Sequence, residues 1–211
     1  MAEVDLGKAS WLNAPKVFEI GPGGLNLTTS PNTDLWQRSY YGFRNDNAPA
    51  LLWQQVGHFT LSVRCDFEYR QRFDQCGFLI YLDSENWFKA SIEHEDGCHA
   101  RLGSVVTNLG YSDWATTDIP ATDHMYYRLS RRGPDFLIEH SVDGREYRQM
   151  RIFHLHCLGE TDPLLAAQVL PQGEAHAIAL GLYACSPMDS SFNARFSELR
   201  LEPCCWQGHG A

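Results

Sequence analysis

Short runs in which apolar and polar positions alternate fill much of the chain, and no window of twelve or more residues carries a convincing 3.6-residue apolar period. Residues 59–69 show the pattern most clearly. Phe59, Leu61, Val63, Cys65, Phe67 and Tyr69 fall on one face of an extended chain, and Thr60, Ser62, Arg64, Asp66 and Glu68 fall on the other. That alternation predicts an antiparallel strand with one face on a core and one toward water. Residues 76–82 are apolar on both faces, which predicts a central strand. Further strands are predicted over 86–95, 100–107, 125–131, 135–142, 145–154, 176–185 and 193–202. Turn chemistry separates them: Asp83-Ser84-Glu85-Asn86, Glu95-Asp96-Gly97, the connector Arg131-Arg132-Gly133-Pro134-Asp135, and Val142-Asp143-Gly144-Arg145. An Asp-Gly pair supplies the positive φ that tight turns need. Ten or more short strands with few helices predict an all-β chain built as a β-sandwich of two antiparallel sheets. Segment 157–175 carries Gly159, Pro163, Pro171 and Gly173, and reads as an insertion between two strands. The expected organisation is one domain over 1–211, with its core over about 11–202.

The strand over 86–95 has two unlike faces. Phe88, Ala90 and Ile92 make an ordinary core face, whereas Trp87, Lys89, Ser91, Glu93 and Glu95 share the other. An indole, an ammonium and two carboxylates in a row suit a sugar site, where an aromatic plane stacks on a pyranose and charged groups bond its hydroxyls. The same row also fits a solvated outer sheet with a Lys89–Glu93 pair. Asp74 and Gln75 precede the central strand and reach the same rim, and Arg128 and His140 lie on neighbouring strands. Trp36 and Arg38 line the cleft, or Trp36 belongs to the core. Thr107, Asp113 and Trp114 flank a loop between strands, where binding residues commonly gather, although Asp113 also suits a turn cap.

The chain of 211 residues has 17 Lys+Arg against 26 Asp+Glu, a net charge of −9. An acidic chain lacks the positive footprint of a nucleic-acid binder, and the apolar content of 44% excludes global disorder. No basic segment followed by an apolar one opens the chain, and no stretch approaches 18 apolar residues, so the expectation is a cytoplasmic protein without membrane contact. Seven scattered cysteines are then expected to be reduced and mostly buried, with Cys65, Cys76 and Cys185 in the core. Sheet edges leave room for a homodimer. Only three of the basic residues are lysines, and Lys89 alone lies in the body of the chain.

Several motifs together resemble one family: Trp11-Leu12-Asn13-Ala14-Pro15, Thr33-Asp34-Leu35-Trp36-Gln37-Arg38, Tyr41-Gly42-Phe43-Arg44-Asn45-Asp46-Asn47-Ala48-Pro49, Phe73-Asp74-Gln75-Cys76-Gly77, Asn86-Trp87-Phe88-Lys89-Ala90-Ser91-Ile92-Glu93, Ser104-Val105-Val106-Thr107, Ser112-Asp113-Trp114 and Ser141-Val142-Asp143-Gly144. The chain is similar to the domain-of-unknown-function family that includes the fungal regulator-of-enolase protein. That family lies within the concanavalin A-like lectin/glucanase superfamily and resembles the C-terminal modules of some β-xylosidases. The resemblance covers about residues 11–200 and implies a jelly roll with a concave face. The expected function is a lectin-like module binding a carbohydrate or sugar-derived metabolite on that face. The alternatives are a glycan-active enzyme using Glu93, or a regulatory protein-interaction module of carbohydrate metabolism. Glu93 and Glu95 have Cα atoms about 6.5–7 Å apart on a strand, which glycoside hydrolysis permits, and Lys89 beside Glu93 would favour a charged nucleophile. The Glu-x-Asp-x-Glu signature of superfamily glucanases is missing, so binding without catalysis is the first expectation. No cofactor and no metal are expected: His154-Leu155-His156-Cys157 lacks a second ligand cluster.

Overall fold

In the computed structural model, which describes residues 4–161 and 176–208, the alternating runs become two seven-stranded antiparallel sheets and a separate hairpin. The first sheet runs in the order β1 (Ser10–Leu12), β6 (Ala50–Gln55), β15 (Ile178–Cys185), β8 (Gln75–Asp83), β9 (Asn86–His94), β10 (His99–Asn108) and β11 (Tyr111–Pro120). The second runs β14 (Arg148–His154), β13 (Asp135–Ser141), β12 (His124–Arg132), β7 (Phe59–Phe67), β16 (Asn193–Pro203), β3 (Gly24–Thr28) and β2 (Val17–Gly21). The hairpin pairs β4 (Leu35–Gln37) with β5 (Arg44–Asp46). This is the β-sandwich that the alternation predicts, with the jelly-roll architecture that the family resemblance implies.

The inner faces meet in one core. Phe78, Phe88 and Ile92 of the first sheet pack with Tyr127, Leu129, Phe136 and Phe153 of the second. Phe88 stacks on Phe153 with ring centroids 3.7 Å apart. The predicted strands are found with ends displaced by three residues at most. The strand predicted from 145 begins at Arg148, because the Asp143 carboxylate accepts from the N–H groups of Arg145 and Glu146 and prolongs the turn. Gly144 takes the expected positive φ of 69°. The Asp96-Gly97 turn works differently: Gly97 is not left-handed, and the Asp96 carboxylate instead holds the N–H groups of Cys98 and His99 at 2.8 Å. β11 has no apolar alternation to reveal it, since it is an edge strand with most positions exposed. The insertion predicted over 157–175 begins within a 3-10 turn at His156–Leu158, and residues 162–175 lie outside the described residues.

A second apolar cluster has a different origin. The segment holding β4 and β5 lies across the outer face of the first sheet. There Leu35 and Ala48 pack with Leu79, Trp87, Val105 and Tyr183. The outer face is thus partly covered, and beside the segment it carries a cleft. Of the seven cysteines, all free thiols, Cys65, Cys76 and Cys185 are buried as expected, but Cys98, Cys157 and Cys205 are exposed at turns and the chain end, so burial is not the general rule. Among the described residues, no helix is long and apolar enough to cross a membrane.

Candidate functional site

The open part of the outer face is built from one register. Across the sheet, Gln75 lies opposite Glu93, Gly77 opposite Ser91, and Leu79 opposite Lys89. Ser91 faces Gly103, and Lys89 faces Val105, whose other neighbour is Trp114. Small residues at Ser91 and Gly103 leave depth between two charged neighbours on β9. The result is a cleft of about 300 Å³ whose floor carries Lys89, Glu93, Gln75 and Val105. Asp34, Trp36 and Asn45 come from the hairpin side, and Pro187 and Met188 close the end after β15.

Lys89 and Glu93 are both almost fully buried, at 3% and 4% exposure. A buried ammonium needs a partner. Lys89 finds it in Asp34, which Nζ meets at 2.8 Å, and not in Glu93. Burial by itself would lower the Lys89 pKa, but the negative charges around it, Asp34 foremost, outweigh burial and hold it above its ordinary value. The Asp34 carboxylate also accepts the Leu35 N–H at 2.8 Å, so the pair ties the entry to β4 onto β9. Glu93 lacks so close a cation. Burial pushes its carboxyl up to about 7, with Lys89 lowering it, the Asp34 charge raising it, and Trp114 donating its indole N–H. Room for the carboxylate comes from Gly103, where a Cβ would sit 2.1 Å from Oε1. Glu93 is thus a buried carboxyl whose pKa lies near neutrality, well above the ordinary carboxylate range.

The walls are aromatic. Trp36, Tyr41, Phe43, Phe73 and Trp114 line them. Tyr41 stacks on Phe43 with centroids 5.4 Å apart and meets Trp36 edge-on at 5.6 Å. A tight loop presents these rings. Arg38, Tyr40 and Gly42 have positive φ (55°, 61° and 76°), and the Arg38 N–H donates to the Phe43 carbonyl at 2.9 Å. Left-handed backbone at non-glycine residues persists only where surroundings enforce it. Here Arg38 does so: it donates to Glu85 at 2.6 Å and to the Gly110 carbonyl at 2.9 Å, and lies over the Tyr111 ring.

Of the residues expected at the site, Lys89, Glu93, Gln75, Trp36 and Trp114 do line one cleft. Trp87 does not: it is fully buried under the hairpin, packed with Leu35, Val105 and Tyr183. Asp74 is buried behind the rim, accepting from the N–H groups of Arg70 and Gln71 and from Ser190. Thr107 is buried against Ser112 at 2.8 Å, and Arg38 is the loop clamp just described. Asp113 faces away to an ion pair with Arg151 at 2.7 Å. Arg128 and His140 lie on the second sheet, where Arg128 pairs with Glu139 at 2.7 Å. Glu95 lies past the end of β9, paired with Arg72 and Arg101, so the Glu93–Glu95 dyad does not form. Asp34, Tyr41, Phe43, Asn45 and Phe73 come from the motifs around 33–38, 41–49 and 73–77. Their clustering with the β9 motif was the available signal, since separated motifs that share one site meet in space. Among the described residues, no cluster of His, Cys, Asp and Glu is placed to hold a metal ion, and the His154 ring is bonded to Asp135.

Residues 11–204 match the model of a family described as "Protein of unknown function (DUF1349)". The chain belongs to this DUF1349 family. It is 32% identical over 197 residues to Regulation of enolase protein 1 of Saccharomyces cerevisiae, covering 93% of this chain and 90% of that one. A crystal structure of a functionally unknown protein from Saccharomyces cerevisiae superposes with a TM-score of 0.81 at 28% identity, covering 96% of this chain and all of that one. More distant likenesses show the fold alone. The GH43 BlXynB protein of Bacillus licheniformis gives a TM-score of 0.62 at 16% identity, over 85% of this chain and 32% of that chain. The carbohydrate binding module CBM66 of Bacillus subtilis gives 0.50 at 11%, over 91% and 94%. DUF1349 thus shares its sandwich with carbohydrate-binding and glycoside hydrolase proteins.

Proposed function

We propose that the protein is a lectin-like module that binds a carbohydrate or sugar-derived metabolite in the cleft on the outer face of its first sheet. One observation carries this reading: five aromatic side chains flank the polar groups of Asp34, Lys89, Glu93 and Gln75 in a cleft of about 300 Å³. Rings of this kind stack on the apolar face of a sugar, and fixed polar groups bond its hydroxyls; the volume suits one or two sugar units. The fold of CBM66 and the name of the yeast relative support a place in carbohydrate metabolism, with the protein acting in the cytoplasm as a ligand-dependent regulator. A thermal-shift panel of mono- and disaccharides tests this. A sugar should raise the Tm of the wild type and fail to raise that of Trp114→Ala, and a panel with no shift on the wild type removes the reading.

A second reading, glycan cleavage, rests on Glu93 alone. A carboxyl raised to about 7 beside the ion-paired Asp34 resembles the acid half of a carboxylate pair whose environments differ. Release of nitrophenol from aryl glycosides by the wild type, lost in Glu93→Gln, would establish it. Binding without turnover leaves the module reading in place.

A further inference from the structure

The charges of the cleft bear on which sugars it accepts. Among the described lining residues, Lys89 is the sole cation, beside two acidic side chains, Asp34 and Glu93. Its ammonium is already engaged by Asp34 at 2.8 Å, and its side chain is 4% exposed. The arginines around the rim are paired as well. Arg101 holds Glu95 at 2.9 Å and Asp118 at 3.3 Å, and Arg72 holds Glu95 at 2.8 Å. Arg38 and Arg44 both hold Glu85. An entering anion would therefore meet the Asp34 carboxylate, the buried Glu93 carboxyl and no lining cation free of a carboxylate partner, in a place where burial strengthens repulsion. A hydroxyl group meets no such cost, because it donates to a carboxylate and accepts from an amide.

We infer that the cleft takes an uncharged sugar and rejects the matching uronate or sugar phosphate, and that Asp34 is the residue that imposes this choice by occupying Lys89. The inference rests on the carbohydrate reading above and narrows it to a charge class. Asp34 is a specificity device here: it consumes the one positive charge that an acidic sugar would use. Its replacement by Asn keeps the oxygen that accepts from both the Leu35 N–H and Lys89 Nζ, and removes the charge that neutralises the ammonium.

Calorimetric titration with matched probes tests the inference. Methyl β-glucoside is compared with methyl β-glucuronide and glucose 6-phosphate, and methyl β-galactoside with its galacturonide. The wild type should bind a neutral probe at least tenfold more tightly than its anionic partner. In Asp34→Asn that ratio should fall to within about threefold, chiefly through tighter binding of the anion. Glu93→Gln, which removes the negative charge that Glu93 carries above about pH 7 and leaves the Lys89–Asp34 pair intact, should narrow the ratio too in titrations at about pH 8, and serves if Asp34→Asn does not fold. An anion that binds the wild type as tightly as its neutral partner overturns the charge rule while leaving the carbohydrate reading intact. An unchanged ratio in a folded Asp34→Asn that still binds the neutral probe removes the role of Asp34. If no probe binds the wild type, both readings fall together.

Discussion

Glu93 is the residue whose surroundings most directly set a measurable property. Its pKa is raised by burial to about 7 from an ordinary 4.5, so the folded chain holds a proton that the unfolded chain gives up. The stability associated with that proton is complete below about pH 4.5 and is lost progressively as pH rises to about 7, amounting to about 3 kcal/mol. Glu93→Gln cannot titrate. The difference in unfolding free energy between variant and wild type should therefore grow across that window in favour of the variant and level off above it, as denaturant melts at pH 5 and pH 8 will show. Gly103→Ala addresses the same carboxyl from the neighbouring strand. A methyl group there displaces the Glu93 side chain, and Gly103 is not left-handed, so stability should change by only about 1 kcal/mol while the Glu93 titration, followed by NMR, moves. The two tryptophans of the site face separate in the same way. Trp87→Ala should cost about 3–5 kcal/mol, because it empties the cluster under the hairpin. Trp114, 38% exposed at the rim, should cost about 1 kcal/mol on the same change. Strand alternation places Trp87 and Lys89 on one face correctly, but a period of two cannot say whether another segment covers part of that face.

At the scale of elements, the β4–β5 hairpin decides what the site is. It covers Trp87, supplies Asp34 to Lys89 and carries three of the five aromatic rings, yet its strands are only three residues each and give no periodic signal. Its loop holds left-handed residues in place through the contacts of Arg38 with Glu85, Gly110 and Tyr111. Arg38→Ala should release that loop. The expected loss of about 1–2 kcal/mol corresponds to a fall in Tm of about 3–6 °C for a domain of this size. Faster amide exchange over residues 36–45 should accompany it, with β9 unaffected. Equal exchange in variant and wild type would show that the loop is held by other contacts. The long strands other than the edge strand β11, by contrast, are readable as sequence. Seven to eleven residues of alternation or continuous apolar character, bounded by Asp-Gly, Asp-Ser-Glu-Asn or Gly-Pro turns, leave little freedom about where they begin and end.

Over the whole molecule, strands far apart in sequence lie side by side. β15 sits between β6 and β8, and β16 sits between β7 and β3, so the last described strands are central. A chain ending before Asn193 should consequently fail to fold, because β3 and β2 lose the strand that joins them to the second sheet; circular dichroism and size-exclusion chromatography would show an unfolded or aggregated product. A truncated chain that remains monomeric and cooperative would mean that β16 is dispensable. Such non-local pairing also explains which features of the protein the sequence by itself determined. Alternation set the all-β class, turn residues set the boundaries of the long strands, and the series of motifs set the family and the jelly roll. The chemistry of β9, with Lys89 and Glu93 on one face, followed from the two-residue period. Only the tertiary structure decided the rest: that Lys89 pairs with Asp34, that Trp87 is core, that Arg128 and His140 belong to the other sheet, and that rings from three separate segments enclose one cleft. Alternation is a property of neighbours along the chain, whereas ion pairing, burial and the walls of a cleft depend on which distant segments the sheet order brings together.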